Sequence, residues 1–139
     1  MSDTTTAPAA ADAATQAALE RLNTVIDRLI APDGCPWDST QTPESLTEYV
    51  IEECHELVDA IRSGKTADMV EELGDVAFLI LMIGKLMARA GGPSLADALE
   101  VEAAKMVRRH PHVFSDTTYE NQSEQLKDWD RIKREEKAA

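Results

Sequence analysis

The eight residues VAFLILMI, from Val76 to Ile83, are apolar on every side of the helix in which they fall. The 3.6-residue period around them predicts that helix over about 67–90, and Gly91, Gly92 and Pro93 stop it. An ordinary surface helix buries one stripe, whereas this one asks for cover all round. Eight residues are too few to cross a bilayer, and Gly84 and Lys85 follow them, so the cover must be protein. In a chain of 139 residues the simplest source of it is a second copy. A homodimer is therefore predicted, with a pair of dimers as the other closed assembly.

No stretch alternates apolar and polar residues over a useful length, while the helical period recurs, so the fold class is all-α, a bundle of about four to five helices. A first helix is expected over 16–30, with Leu19, Leu22, Val25, Ile26, Leu29 and Ile30 on one side. A second is expected over 43–62, with Thr42 as N-cap, Pro43 at the first helical position and Gly64 as the C-terminal glycine. Val50, Ile51, Cys54, Leu57, Val58 and Ile61 read as its buried face. Further helices are expected over 95–109 and 119–137. Residues 1–15, rich in Ala and Thr, read as a disordered tail without the basic start or apolar stretch of a secretory signal, and 16–139 as one domain.

Cys35 and Cys54 form no C-x-x-C pair, which predicts free thiols and a cytoplasmic setting. The net charge of −12 excludes general duplex binding and gives no reason to expect a membrane partner. Residues 1–100 hold 6 basic and 18 acidic side chains, whereas 101–139 hold 8 of each. The basic islands KMVRRH (105–110) and RIKR (131–134) lie in that balanced last third, where they would suit a small anion.

The second and third helices carry an echo: EECHE (52–56) and EELGD (71–75), each an adjacent Glu pair with a further carboxylate three residues after the second Glu. At about 100° per residue, Glu53 and Glu56 share one side of their helix, as do Glu72 and Asp75. Glu53 falls beside Leu46, Val50 and Leu57, and Glu72 among Val76, Leu79 and Ile83, so all four carboxylates should meet at the helix seam. Burial and mutual repulsion disfavour such a cluster unless a cation neutralises it. Hard oxygen donors suit Mg²⁺, with Mn²⁺ as the other ion. Gly74, inside the third helix, suggests a close backbone approach beside the cluster.

Two other metal readings are weaker. Glu52 to His55 contains the Glu-x-x-His of di-iron bundles, but the second motif offers Asp75 where a second His is needed, and His55 points about 160° from Glu53. His110 and His112 flank Pro111, yet no Cys or His spacing completes a zinc site, so a turn is expected there.

With EECHE and EELGD placed, the chain resembles the MazG family of nucleoside triphosphate pyrophosphohydrolases, whose pattern is EExxE followed on the next helix by ExxD. CPWD (35–38), KMVRRHPHVF (105–114) and the W-x-x-I-K of Trp129 to Lys133 follow the family's order. The resemblance implies Mg²⁺-dependent hydrolysis of an NTP or dNTP to the monophosphate and pyrophosphate. It further implies Glu53, Glu56, Glu72 and Asp75 as metal ligands, with Glu52 and Glu71 beside them. Lys105 and Arg109 would meet the phosphates, and Trp129 and Lys133 the nucleotide. CPWD reads as a structural turn. Tyr49 and Asp68 stand where relatives often carry lysines. That departure leaves open a non-catalytic metal and nucleotide sensor on the same fold. A narrower dUTP or phosphoribosyl-ATP enzyme is the other alternative, against which RRHPHVF and CPWD argue.

Overall fold

The computed structural model of the chain describes residues 6–139, and no strand occurs among them. Six α-helices follow one another: α1 (Thr6–Ile30), α2 (Thr47–Ser63), α3 (Thr66–Arg89), α4 (Leu95–Arg109), α5 (Pro111–Phe114) and α6 (Gln122–Ala138). They divide into two compact units, one ending at Ser94 and the other running Leu95–Ala139.

α1 begins ten residues before the expected start at 16, so residues 6–15 of the expected tail are helical, while 1–5 fall outside the described residues. Alanine is the strongest helix former, and an Ala-rich stretch continues a helix without a core to rest on. Residues 9–21 are accordingly all exposed. Packing starts at Leu22 and is completed by Ile26, which is fully buried, while Leu19 and Val25, expected on the same side, are exposed because the apolar side of α1 is wider than the surface that covers it.

The chain leaves α1 through Gly34, whose N–H donates to the Ala31 carbonyl at 2.8 Å while Cys35 N–H donates to Leu29 O at 2.9 Å. A Cβ at position 34 would lie 2.4 Å from the carbonyl oxygens of both Arg28 and Leu29, so only glycine fits this turn. CPWD forms the turn expected of it, continuing into a short 3₁₀ helix, Asp38–Thr40. Arg89, in the last turn of α3, fastens the arrangement by donating to Ile30 O at 2.9 Å and Ser39 O at 3.2 Å.

The expected second helix resolves into a 3₁₀ turn, Glu44–Leu46, and then α2. Thr42 caps the turn as expected: its Oγ1 accepts from Ser45 N–H at 3.1 Å, and Ser45 Oγ accepts from Thr42 N–H at 2.9 Å. Gly64 ends α2 in the left-handed region at φ 72°. Gly64 and Lys65 alone separate it from α3, so the two helices fold back as an antiparallel hairpin, the most extensively packed pair among the described residues. Leu46, Met82 and Ile26 are the fully buried side chains here. Each contributes roughly 1.5–3 kcal/mol of transfer free energy.

Two expectations about this hairpin are corrected. Only Val50 and Leu57 of the expected buried face of α2 turn inward; Ile51, Cys54, Val58 and Ile61 are exposed. The apolar residues of α2 spread over more than half its circumference, and α3 covers only one side. The apolar run of α3 is likewise covered on part of its surface, with Leu79, Leu81 and Met82 buried and Ile80 49% exposed. The second correction concerns Gly74, where an added Cβ would meet nothing within 4 Å.

In the second unit α4 and α6 pack together, with Ile132 as the buried centre. The expected helix over 119–137 starts at Gln122, because Asn121 caps it by accepting from Glu124 N–H at 3.0 Å. Pro111 to Phe114 form one helical turn. No helix of the described residues is long and apolar enough to cross a membrane.

These two glycines make opposite predictions in thermal or urea unfolding. Gly34→Ala is expected to destabilise by about 2 kcal/mol or more, since backbone must move to admit the methyl group. Gly74→Ala is expected to stabilise by up to about 1 kcal/mol, the propensity difference at an open helical position.

Candidate metal centre

α2 and α3 carry the acidic echo to their shared seam. One carboxylate oxygen each from Glu53, Glu56 and Glu72 lies within 4.8 Å of the other two. Glu53 and Glu72 are half-buried and Glu56 is exposed, so the cluster has one sheltered side and one open to water. Glu53 Oε2 and Glu72 Oε2 are shut off from solvent and have no hydrogen-bond partner. An orphaned buried carboxylate oxygen is unfavourable, and two of them facing a third carboxylate make a place that a cation would stabilise.

The titration behaviour follows from that geometry. Burial, then the facing Glu56 and Asp75, raises the Glu53 carboxyl above its ordinary range. Burial together with Glu56, Asp75 and Glu53 pushes Glu72 up to about 7. Asp75 acts on both groups by its charge, yet it stands outside the three-oxygen group and is exposed. Its side chain is one methylene shorter than glutamate, so sharing a side of α3 with Glu72 does not bring it as far across the seam. The expected meeting of four carboxylates is thus a meeting of three with a fourth nearby. Glu52 and Glu71 lie exposed beside the cluster, and His55 is exposed as expected.

The four candidate nucleotide contacts all belong to the second unit, where Lys105, Arg109, Trp129 and Lys133 are half-buried. Lys105 Nζ pairs with Glu102 at 3.3 Å. Arg109 lies over the Trp129 ring, 5.5 Å from its centroid, and donates from Nη2 to Glu136 Oε2 at 2.9 Å. Arg108 Nε reaches the same carboxylate at 2.8 Å. Arg109 and Arg108 together hold the Glu136 carboxyl down at about 2, and Glu136 in turn raises Arg109. Glu136 is the residue the sequence reading missed. Its signal was its place two turns after Trp129, on the same side of α6.

A helix hairpin that converges three hard oxygen donors, with no thiolate or imidazole among them, defines the class: an all-α protein with a carboxylate cluster that could hold a metal cation. The pattern of the MazG nucleotide pyrophosphohydrolase domain matches residues 41–114, and the chain belongs to that family. It is 43% identical over 113 residues to the Bacillus subtilis (strain 168) protein called "Uncharacterized protein YabN", covering 81% of this chain and 23% of that one. It is 40% identical over 121 residues to an Escherichia coli (strain K12) "Nucleoside triphosphate pyrophosphohydrolase", covering 86% and 46%. The chain thus spans less than half the length of these curated relatives. A solved structure, "Crystal structure of mazG-related protein from Thermotoga maritima", superposes with a TM-score of 0.69 at 29% identity, covering 83% of this chain and 98% of that one.

The raised Glu72 carboxyl predicts a pH dependence of stability in metal-free solution. Folding favours its protonated form, so this contribution is fully present below the ordinary value of 4.5 and is lost as pH rises through about 7. Urea midpoints should therefore fall between pH 5 and pH 8. Glu72→Gln, which cannot ionise, should flatten that fall, and an unchanged slope in the variant would contradict the assignment.

Proposed function

We propose that this chain hydrolyses nucleoside triphosphates, NTP or dNTP, to the monophosphate and pyrophosphate by attack of water at the α-phosphate, with Mg²⁺ or Mn²⁺ as cofactor. The observation that carries the reading is the convergence of Glu53, Glu56 and Glu72 with two unpartnered buried oxygens. A relative named for this activity, 40% identical over 86% of the chain, supports it.

Glu53, Glu56 and Glu72 would hold the cation, with Asp75 as the fourth acidic group. When bound, the cation supplies Lewis-acid polarisation of the α-phosphate and charge neutralisation. The chain's own residues do the rest. Glu52 or Glu71, left outside the cluster, accepts the proton of the attacking water. As the new oxygen–phosphorus bond forms, the bond from the α-phosphorus to the bridging oxygen breaks and pyrophosphate leaves. Lys105 and Arg109 carry the phosphate charge, and Trp129 and Lys133 the nucleotide. In this reading 16–139 act as one domain, nucleic acid is no substrate, and the free thiols of Cys35 and Cys54 suit the reducing cytoplasm.

We infer a homodimer built on the hairpin. The support is an apolar surface left over on both helices: Ile51, Val58 and Ile61 on α2, and Val70, Leu73 and Ile80 on α3, with Val70 68% exposed. Large apolar side chains left exposed on both helices of one hairpin suit an interface with a second copy. The absence of lysine at Tyr49 and Asp68 favours the second reading, a sensor that binds without turnover.

Incubating each NTP and dNTP with the protein and Mg²⁺ separates these readings: monophosphate plus pyrophosphate is expected, and diphosphate plus phosphate, or binding without product, would reject hydrolysis at the α-phosphate. Glu53→Gln and Glu72→Gln are expected to lower kcat by at least about a hundredfold with helicity by circular dichroism retained. In sedimentation equilibrium the unsubstituted chain should run at twice its 15.2 kDa mass or a higher multiple, and Val58→Asp should shift it toward monomer.

A further inference from the structure

Trp129 is poorly placed to serve alone as a base platform, since Arg109 covers its ring and the His110 ring abuts it at 5.0 Å. A second aromatic group lies open in the first unit. Trp37, in the CPWD turn, meets Tyr49, at the start of α2, edge to face with ring centroids 5.6 Å apart and planes at 88°. The two rings remain 45% and 40% exposed. Two adjoining rings with open aromatic surface can take a flat ligand by its face.

Position relative to the carboxylates gives the pair its meaning. Residues 49, 53 and 56 are four and seven apart, so Tyr49 shares one side of α2 with Glu53 and Glu56. It precedes them by about 6 and 10 Å along the axis, at 1.5 Å per residue. A nucleotide's base is separated from its α-phosphate by a distance on that scale. The platform is also rigid. Trp37 O accepts from Thr40 Oγ1 at 3.0 Å and Gln41 Nε2 at 3.1 Å, and Arg89 pins Ser39 O at 3.2 Å. The apolar stripe of α2 proposed for the dimer, Ile51, Val58 and Ile61, lies on the far side of the helix, so the pair is not part of that surface.

We propose that Trp37 and Tyr49 stack the base of the nucleotide, taking any base by its π-face while the carboxylate cluster handles the phosphates, so that Trp129 and Lys133 are left to contact the nucleotide without stacking its base. Stacking needs no edge pattern, so the site would be broad in base and selective for nucleotides over bare polyphosphate. The inference rests on the nucleotide reading above.

Equilibrium dialysis with Mg²⁺ tests it without turnover, using α,β-methylene-ATP, in which the bond to be cleaved is blocked, and inorganic tripolyphosphate, which has no base. Tyr49→Leu is expected to raise the Kd of the analogue roughly tenfold and leave that of tripolyphosphate within about twofold, while Tyr49→Phe, which keeps the ring, stays near the parent. Equal weakening of both ligands, an unchanged Kd for the analogue, or a loss of dimer mass in Tyr49→Leu would overturn the proposal. Tyr49-dependent binding by a chain that cleaves no NTP would sink the hydrolase reading and leave the platform standing.

Discussion

Repulsion among Glu53, Glu56 and Glu72 is the constraint around which the first unit is built. Three carboxylates with one oxygen each within 4.8 Å of the others, and an unpartnered buried oxygen on Glu53 and on Glu72, oppose the packing of α2 on α3. The hairpin forms because burial of Leu46, Ala60, Leu79 and Met82 along the same seam outweighs that repulsion, and because Gly64 permits the tight reversal between the helices. Arg89 adds a second tie by gathering carbonyls from the end of α1 and from the CPWD turn. A charged cluster that is held together by its neighbours rather than by its own contacts is preorganised for a counterion, since little reorganisation is left when one arrives.

The second unit uses the opposite device. There the charges are paired rather than crowded: Glu136 receives Arg108 and Arg109, and Asp128 receives Tyr119 and Arg131. With Ile132 as its buried centre and few apolar side chains around it, α6 is fixed by directional contacts instead of bulk burial. Such contacts orient the Arg109 guanidinium and restrict its rotamers.

Much of this was legible in the sequence, and what was not has physical reasons. The ends of α3 and α4 and the glycine stop of α2 follow from local chemistry that tertiary context did not override. The start of α1 did not: alanine-rich composition reads as too polar for a core, yet alanine needs no core to be helical. Periodicity placed Ile51, Val58 and Ile61 inside, because spacing shows that an apolar side exists and not how much of it the rest of the chain can cover. Angular position put Asp75 on the correct side of α3 but carries no information about reach, and reach separates it from the three oxygens that meet. Glu136 escaped because its place two turns after Trp129 is shared in kind by other charges of that helix; its pairing with Arg108 and Arg109 shows only when α4 is laid against α6.

Charge distribution turns these local facts into a selection rule. The first hundred residues carry the whole net charge of −12, and a polyanion approaching that field from a distance is repelled. Long-range attraction cannot therefore be what selects a ligand here; short-range neutralisation must be. A cation at the carboxylate seam changes the sign of the nearest field, while the screened charges farther away are felt weakly beyond about 8–10 Å at ordinary salt. A duplex, with phosphates spread along its length, would meet unneutralised acid over most of its footprint. A compact polyanion keeps its charge within reach of a single cation, so the same acidity weighs less against it than against an extended one.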